Sequence, residues 1–248
     1  MILLIDVGNT NICLTTTDGS VIENKIIRIK TLHDRSSDEY YLILREMLKL
    51  DAITAVAISS VVPDVTAILT ELFINHFGLI PLVLGPKVKT GLKIVADNPR
   101  EVGADLICDA VGVGEGESLI IDLGTATKYL YVKNRTLLGV VITPGVMVSI
   151  KALVSNTALL PEVEIKVPNK VLGNNTINCM QSGATYGVAS QVDGMIERIK
   201  KEVENPNLRV VATGGLAKLI VPLCDNKIEI DDLLTLKGLL DIFGRNQK

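Results

Sequence analysis

The sequence contains no tryptophan, only two histidines, and few aromatic residues of any kind, with five tyrosines and three phenylalanines in 248 residues. So few rings leave no platform on which the bases of a nucleic-acid single strand would stack. His33 and His76 leave little room for a histidine-rich zinc site or a Ser-His-Asp triad. Neither sign of charge dominates: 25 Lys and Arg against 28 Asp and Glu give a formal net charge of −3. That balance provides no electrostatic footprint for nucleic acid or an anionic membrane. No apolar run approaches the ~18–20 residues needed to cross a bilayer, and the opening MILLID lacks the basic start and apolar stretch of a secretory signal. Cys13, Cys108, Cys179 and Cys224 include no C-x-x-C pair and read as small buried hydrophobes in a reducing compartment. These absences predict a cytoplasmic protein without nucleic-acid or membrane partners, whose chemistry rests on carboxylates and backbone amides.

What is present is apolar and patterned. A chain that is 48% hydrophobic and 21% charged folds rather than stays disordered, and its length suits one large domain or two of about 100–150 residues. Leu3–Thr10 reads LLIDVGNT and Leu119–Ala126 reads LIIDLGTA, the second copy starting close to half the chain length. Each is an apolar run ending in Asp-x-Gly, and each opens three strands joined by short polar turns at Asp18-Gly19 and Lys133-Asn134. Helical spacing follows over Ser37–Leu50, from Asp64 to Phe77, over Val146–Leu153 and over Cys179–Val203, with buried-strand runs at Ile53–Ser59, Ile80–Leu84 and Leu208–Ala212 and a short helix at Leu216–Ile220. The pattern βββ-α-β-α-β, repeated, predicts an α/β protein of two duplicated lobes, 1–115 and 116–248, each a mixed sheet flanked by helices, with a cleft between. Gly112–Gly116 is the expected connection.

Four places carry candidate chemistry. A glycine after a strand lets backbone N–H groups close on phosphate oxygens, and an Asp at the strand end suits a cation that neutralises them; this applies to Asp6 and Asp122, though a plain hairpin turn fits either copy alone. Thr213-Gly214-Gly215 after a strand admits a phosphate or a flat ligand, or serves tight packing. In Asp97-Asn98-Pro99-Arg100-Glu101-Val102-Gly103-Ala104-Asp105, Asn-Pro sets a turn, Glu101 falls in a first helical turn, and Gly103-Ala104 allows approach to the Asp105 carboxylate. Asp105 then suits a general base, or merely complements a helix dipole, and Asp109 is its nearest rival. Asn174-Asn175-Thr176 is a polar loop or a helix cap.

Taken in order, DVGNT at Asp6–Thr10, DNPREVGAD at Asp97–Asp105, DLGTAT at Asp122–Thr127, ITPG at Ile142–Gly145, NTALLP at Asn156–Pro161, NT at Asn175-Thr176, MQSGATYG at Met180–Gly187 and ATGGLA at Ala212–Ala217 resemble the type III pantothenate kinases. These belong to the acetate and sugar kinase/Hsp70/actin superfamily, so the resemblance implies two ribonuclease H-like (actin-like ATPase) lobes. It also implies ATP-dependent phosphorylation of the primary hydroxyl of pantothenate, the first step of coenzyme A synthesis, with Mg²⁺ and a monovalent cation, K⁺ or NH4⁺. Carried over by position, Asp6, Val7, Gly8, Asn9, Thr10, Asn11, Ile12 and Cys13 would hold ATP phosphates, with Asp6 near Mg²⁺, and Thr125 would contact the nucleotide. Asp122 would ligate the monovalent cation. Asp105 would be the base, and Gly103, Ala104, Asp105, Leu106 and Thr176 would meet pantothenate. The resemblance further implies a homodimer.

Four positions depart from the family pattern. Leu106 replaces an arginine after the base, Ala96 an aromatic before the Asp-Asn-Pro, Lys128 a threonine and Leu130 an aspartate after the second turn. Losing a charged donor to a ligand costs about 1.5–3 kcal/mol, and Lys128 or Arg100 is the expected replacement charge. The same departures would also suit a family member acting as a regulatory accessory protein, or a kinase for another small hydroxylated substrate.

Overall fold

In the computed structural model, which describes residues 1–23 and 25–247, the chain opens on three antiparallel strands, and the turn after the second shows its chemistry in its residues. Asp18 Oδ1 accepts the backbone N–H groups of Ser20 and Val21 at 2.9 and 3.0 Å, and Gly19 takes φ 106°. This turn follows β2 (Asn11–Thr17), which pairs antiparallel with β1 (Ile2–Val7) across the Gly8–Thr10 turn, and β3 (Ile27–Lys30) adds antiparallel to β2. Helix α1 (Ser37–Met47) starts at a capping box in which Ser36 and Glu39 satisfy each other's backbone N–H. β4 (Ala55–Ser60) returns parallel to β1, and α2 (Pro63–Phe77) follows, with proline at its first turn and Gly78 at φ 63° ending it. β5 (Leu82–Val83), β6 (Lys93–Ile94) and α3 (Ala104–Gly112) complete this stretch. Glu101 does not enter α3. It closes a separate 3-10 turn, Pro99–Glu101, because Asn98 Oδ1 caps the Arg100 N–H at 3.3 Å and Val102 resets to extended backbone.

The first sheet has the order β3-β2-β1-β4-β5. Alternation along β1 divides two cores. Leu3, Ile5 and Val7 face Tyr40, Leu44, Leu69 and Phe73 of α1 and α2, whereas Leu4 and Ala57 face Cys108 and Val111 of α3. Each fully buried Leu, Ile or Phe contributes about 1.5–3 kcal/mol relative to an exposed one.

The second half repeats this plan. β7 (Glu117–Leu123), β8 (Ala126–Lys133) and β9 (Thr136–Pro144) form an antiparallel meander. Its second turn is Asn134-Arg135, both at positive φ (47° and 54°), one residue later than the spacing predicts; two such residues match the twist of the flanking strands. After α4 (Val146–Ser155) come α5 (Thr176–Ser182) and α6 (Val188–Glu202), with a π turn over Gly183–Gly187 where the sequence predicts one uninterrupted helix. β10 (Arg209–Thr213), α7 (Ala217–Ile220) and β11 (Glu229–Ile230) follow. Five strands run β9-β8-β7-β10-β11, the order of the first sheet. The duplication seen in the two Asp-x-Gly strings is thus one of topology, with Asp6 and Asp122 one residue from the ends of β1 and β7. The fold is α/β, two mixed sheets flanked by helices.

The compact units do not coincide with the sequence halves. One is Met1–Gly114 together with the segment from Leu233 onward, and the other is Glu115–Asp232. The last helix, α8 (Leu234–Arg245), packs on α3 with Leu236, Leu239, Ile242 and Phe243 in the core beside Leu4 and Ala57. Two glycines allow the approach: a Cβ at Gly238 would overlap the Cys108 carbonyl oxygen, and one at Gly112 the Leu234 carbonyl oxygen. Thr235 Oγ1 donates to Asp109 Oδ1 at 2.6 Å, and Asp109 is only 1% exposed. No described helix is long and apolar enough to cross a membrane.

Candidate active site

In parallel sheets, ligands gather beyond the carboxyl ends of the strands, and the candidate residues of the first unit collect there. The Gly8–Thr10 turn between β1 and β2 is fixed from three sides. Gly8 N–H donates to Asn11 O at 3.0 Å, Thr31 Oγ1 donates to Gly8 O at 2.6 Å, and Thr31 N–H donates to Thr10 O at 3.1 Å. Asn9 and Thr10 are exposed at the tip. Val7 and Ile12 are core residues beneath the turn, so of the string Asp6–Cys13 they offer a ligand backbone only.

Asp6 shares a sheet face with Leu4, the face that carries α3. Ser59 Oγ at the end of β4 donates to Asp6 Oδ1 at 3.0 Å, and Cys13 lies opposite Asp6 on β2. Burial pushes the Cys13 thiol up, partly offset by the Arg28 side chain bonded to its sulfur at 3.3 Å. Cys108 reports the electrostatics of this face. Burial, then the charges of Asp6, Asp109 and Asp105, hold its thiol well above the ordinary range against a hydrogen bond with Ser59. Both cysteines are therefore protonated, poor nucleophiles near neutral pH.

Asp105 lies in the first turn of α3, half-buried, with Oδ1 accepting the Leu106 N–H at 2.8 Å. Gly103 leaves room for this carboxylate, since a Cβ there would stand 2.5 Å from Asp105 Oδ1. Leu106 is buried at 7% exposure, while Ala96, Asp97 and Arg100 are exposed. Asp109, the rival for the role of base, is instead sealed into the α3–α8 packing by Thr235.

In the second unit, the DLGTAT and TGG strings meet. Thr213 pairs with Asp122 across β10 and β7, and the Leu216 N–H donates to Leu123 O at 3.2 Å. Gly214, at φ 94°, lies against the acid: a Cβ there would be 2.6 Å from Asp122 Oδ1 and 2.7 Å from the Leu123 backbone. Thr125 is exposed at the turn, and its carbonyl accepts the Gly145 N–H of the ITPG string at 3.1 Å. Thr176 is exposed at the start of α5, where Asn175 caps the Asn178 N–H at 2.9 Å.

Two site features escape a reading of the sequence. Ser59, which orients Asp6, has no motif around it; only the β1–β4 register brings them together. Lys128 is directly opposite Asp122 across β7 and β8, and its Nζ lies 2.7 Å from Asp122 Oδ2 with both side chains mostly buried (16% and 14% exposed). Opposed charges on facing strand positions attract. Removing one member of a buried pair leaves an uncompensated charge, costing about 3–5 kcal/mol at full burial. The lysine expected to meet substrate is thus engaged by the acid expected to ligate a monovalent cation. Among the described residues, no group of three or more His, Cys, Asp or Glu is placed to hold a metal.

Comparison with known proteins shows the family. The sequence model of a family described as type III pantothenate kinase matches residues 2–198. The chain is 49% identical to a type III pantothenate kinase of Acholeplasma laidlawii (strain PG-8A) and 44% identical to one of Exiguobacterium sp. (strain ATCC BAA-1283 / AT1b), each alignment covering 100% of both chains. Among solved structures it resembles the activator of the 2-hydroxyisocaproyl-CoA dehydratase from Clostridium difficile with bound ADPNP, at a TM-score of 0.51, 16% identity, and coverage of 97% of this chain and 92% of that one. That last likeness concerns the fold alone.

Proposed function

The chain belongs to the type III pantothenate kinase family, and from that premise we propose how its residues divide the work. The reaction is the ATP-dependent phosphorylation of pantothenate, a step of coenzyme A biosynthesis, with ATP and a divalent metal as the family requires. Phosphoryl transfer demands mainly positioning and charge neutralisation.

The Asp6–Cys13 turn holds the phosphates of ATP with backbone N–H groups, and Thr125 contacts the nucleotide from the DLGTAT turn. Asp6, aimed by Ser59, is the carboxylate for Mg²⁺; the ion needs only one or two carboxylates when it arrives with phosphates. When bound, Mg²⁺ neutralises charge on the transferring group. Asp105 accepts the proton of the primary hydroxyl of pantothenate. Gly103, Ala104 and Leu106 line its pocket, and Thr176 hydrogen-bonds the substrate. The resemblance places K⁺ or NH4⁺ at Asp122, whose carboxylate is paired in this structure with the Lys128 ammonium. The protein acts in the cytoplasm, a setting that suits its free thiols. It acts as a homodimer, supported by the exposed apolar side chains Val140, Val141 and Ile142 of β9 with Met147 and Val148 of α4.

The observation that carries the assignment of the base is the Asp105 carboxylate, half-buried in the first turn of α3 over a glycine that only an absent side chain keeps clear. Asp105→Asn is expected to lower turnover by about 10²–10⁴-fold while ATP still binds, measured by a coupled ADP-release assay and calorimetry. Near-normal turnover would remove Asp105 from the role.

A further inference from the structure

We propose that the Lys128 ammonium is the resident monovalent cation of this enzyme, standing in covalently for the K⁺ or NH4⁺ that the family resemblance places at Asp122. Catalysis then needs no added monovalent ion. The proposal rests on the kinase reading above and goes beyond it.

Three observations carry it. First, Lys128 Nζ is 2.7 Å from Asp122 Oδ2, a charge-assisted hydrogen bond on a strand pair whose register puts the two residues face to face. Second, the other oxygen lies close against the backbone of two glycines. Asp122 Oδ1 is backed by the Gly214 turn, where even a Cβ would stand 2.6 Å away, and by Gly124, where a Cβ would stand 3.2 Å away. Third, the facing strand offers no side-chain oxygen on this face at positions 128 and 130. At Lys128 and Leu130, on the strand facing Asp122, the chain offers an ammonium and a fully buried hydrocarbon. Hard cations are held by several oxygens together, and the carboxylate of Asp122 is already engaged by the ammonium.

The replacement conserves charge. An ammonium carries the single positive charge of K⁺ and presents three N–H donors, so the phosphate end of β7 remains as positive as a filled cation site. It also removes a binding equilibrium, because the charge is tethered and present at any salt concentration.

The test compares the full-length enzyme in choline chloride, KCl and NH4Cl at equal ionic strength, with Mg²⁺ and the Tris salt of ATP. Wild-type kcat/KM for ATP is expected to change less than about two-fold among the three salts. Lys128→Ala is expected to lose roughly 10²-fold in choline, in the range seen when a transition-state charge donor is removed, and to regain ten-fold or more with NH4⁺ or K⁺. Calorimetry of ATP binding gives a readout apart from turnover: affinity should be salt-identity-independent in wild type and ammonium-dependent in the variant. Ten-fold activation of the wild type by K⁺ or NH4⁺ overturns the proposal, as does a variant that needs neither lysine nor ion. A loss that no ammonium restores overturns it too, by giving Lys128 a role that a free cation cannot fill. Should Lys128→Ala misfold, the wild-type salt series decides alone. Absence of turnover in every salt would instead sink the kinase reading, and ATP affinity that requires K⁺ would then still overturn the lysine assignment.

Discussion

Gly238→Ala is a substitution for which helix propensity and packing give opposite answers. Gly238 lies inside α8, where alanine is favoured over glycine by about 1 kcal/mol in an exposed helix interior. The added methyl, however, would overlap the Cys108 carbonyl oxygen and sit 2.6 Å from the Cys108 carbonyl carbon and 2.9 Å from Gly112 N. Every one of these is backbone of α3, so no side chain can swing aside. Relief requires the two helices to separate, and overpacking of this kind costs about 1–3 kcal/mol or more. Separation also stretches the 2.6 Å bond from Thr235 Oγ1 to the buried Asp109, a charged acceptor whose bond contributes about 1.5–3 kcal/mol. After subtracting the propensity gain, the net loss is about 1.5–5 kcal/mol. For a chain of this size that corresponds to roughly 3–20 °C in Tm, read by differential scanning calorimetry. A variant melting at or above the wild-type temperature would refute the close-packing argument. Because α3 carries Asp105, kcat should fall more than the affinity for ATP.

Further outcomes follow from the same geometry. Gly103→Ala places a Cβ 2.5 Å from Asp105 Oδ1 and should lower kcat at least ten-fold with ATP affinity unchanged; steady-state kinetics with unchanged kcat would show that the carboxylate has another place to go. Ser36→Ala removes one side of the capping box of α1 and should cost about 1 kcal/mol by urea denaturation, with no effect on turnover. Among the thiols, Cys179 is exposed, Cys108 is fully buried and burial pushes Cys224 up to about 12. A thiol reagent near pH 8 should therefore modify Cys179 first in the native protein, and fast labelling of Cys108 would contradict the α3–α8 packing.

Much of this architecture is legible in the sequence because strands and turns are local. Asp18-Gly19 and the residues around Asn134 mark hairpins, and the repeated apolar-Asp-x-Gly string locates the first strand of each sheet. The helices α1, α2 and α6 follow from spacing and caps. What is hidden depends on partners distant in the chain. Gly112 reads as part of a linker and is instead the last residue of a helix, pared down to admit α8. α8 itself holds two glycines, Gly238 and Gly244, that weaken any propensity argument, and its apolar face has meaning only against Cys108 and Val111. At the site, Asp6, Asp105 and Asp122 are visible as acids near glycines. The pairing of Lys128 with Asp122 needs the register of the hairpin, and shifting that register by one residue would send the lysine to the opposite face.

The return of α8 to the first unit also sets an order of assembly. Residues 115–232 are continuous and hold every strand of the β9-β8-β7-β10-β11 array, so the second unit can close as soon as its own sequence has left the ribosome. The first unit, although synthesised earlier, waits until α8 emerges, with Leu4, Ala57, Cys108 and Val111 uncovered in the interval. Chains generally fold from the N-terminal end as they are made; here the domain begun first is finished last. A ribosome stalled after residue 232 would display an incomplete first unit beside a complete second one, and a peptide of residues 233–247 supplied in trans has a ready-made groove to enter.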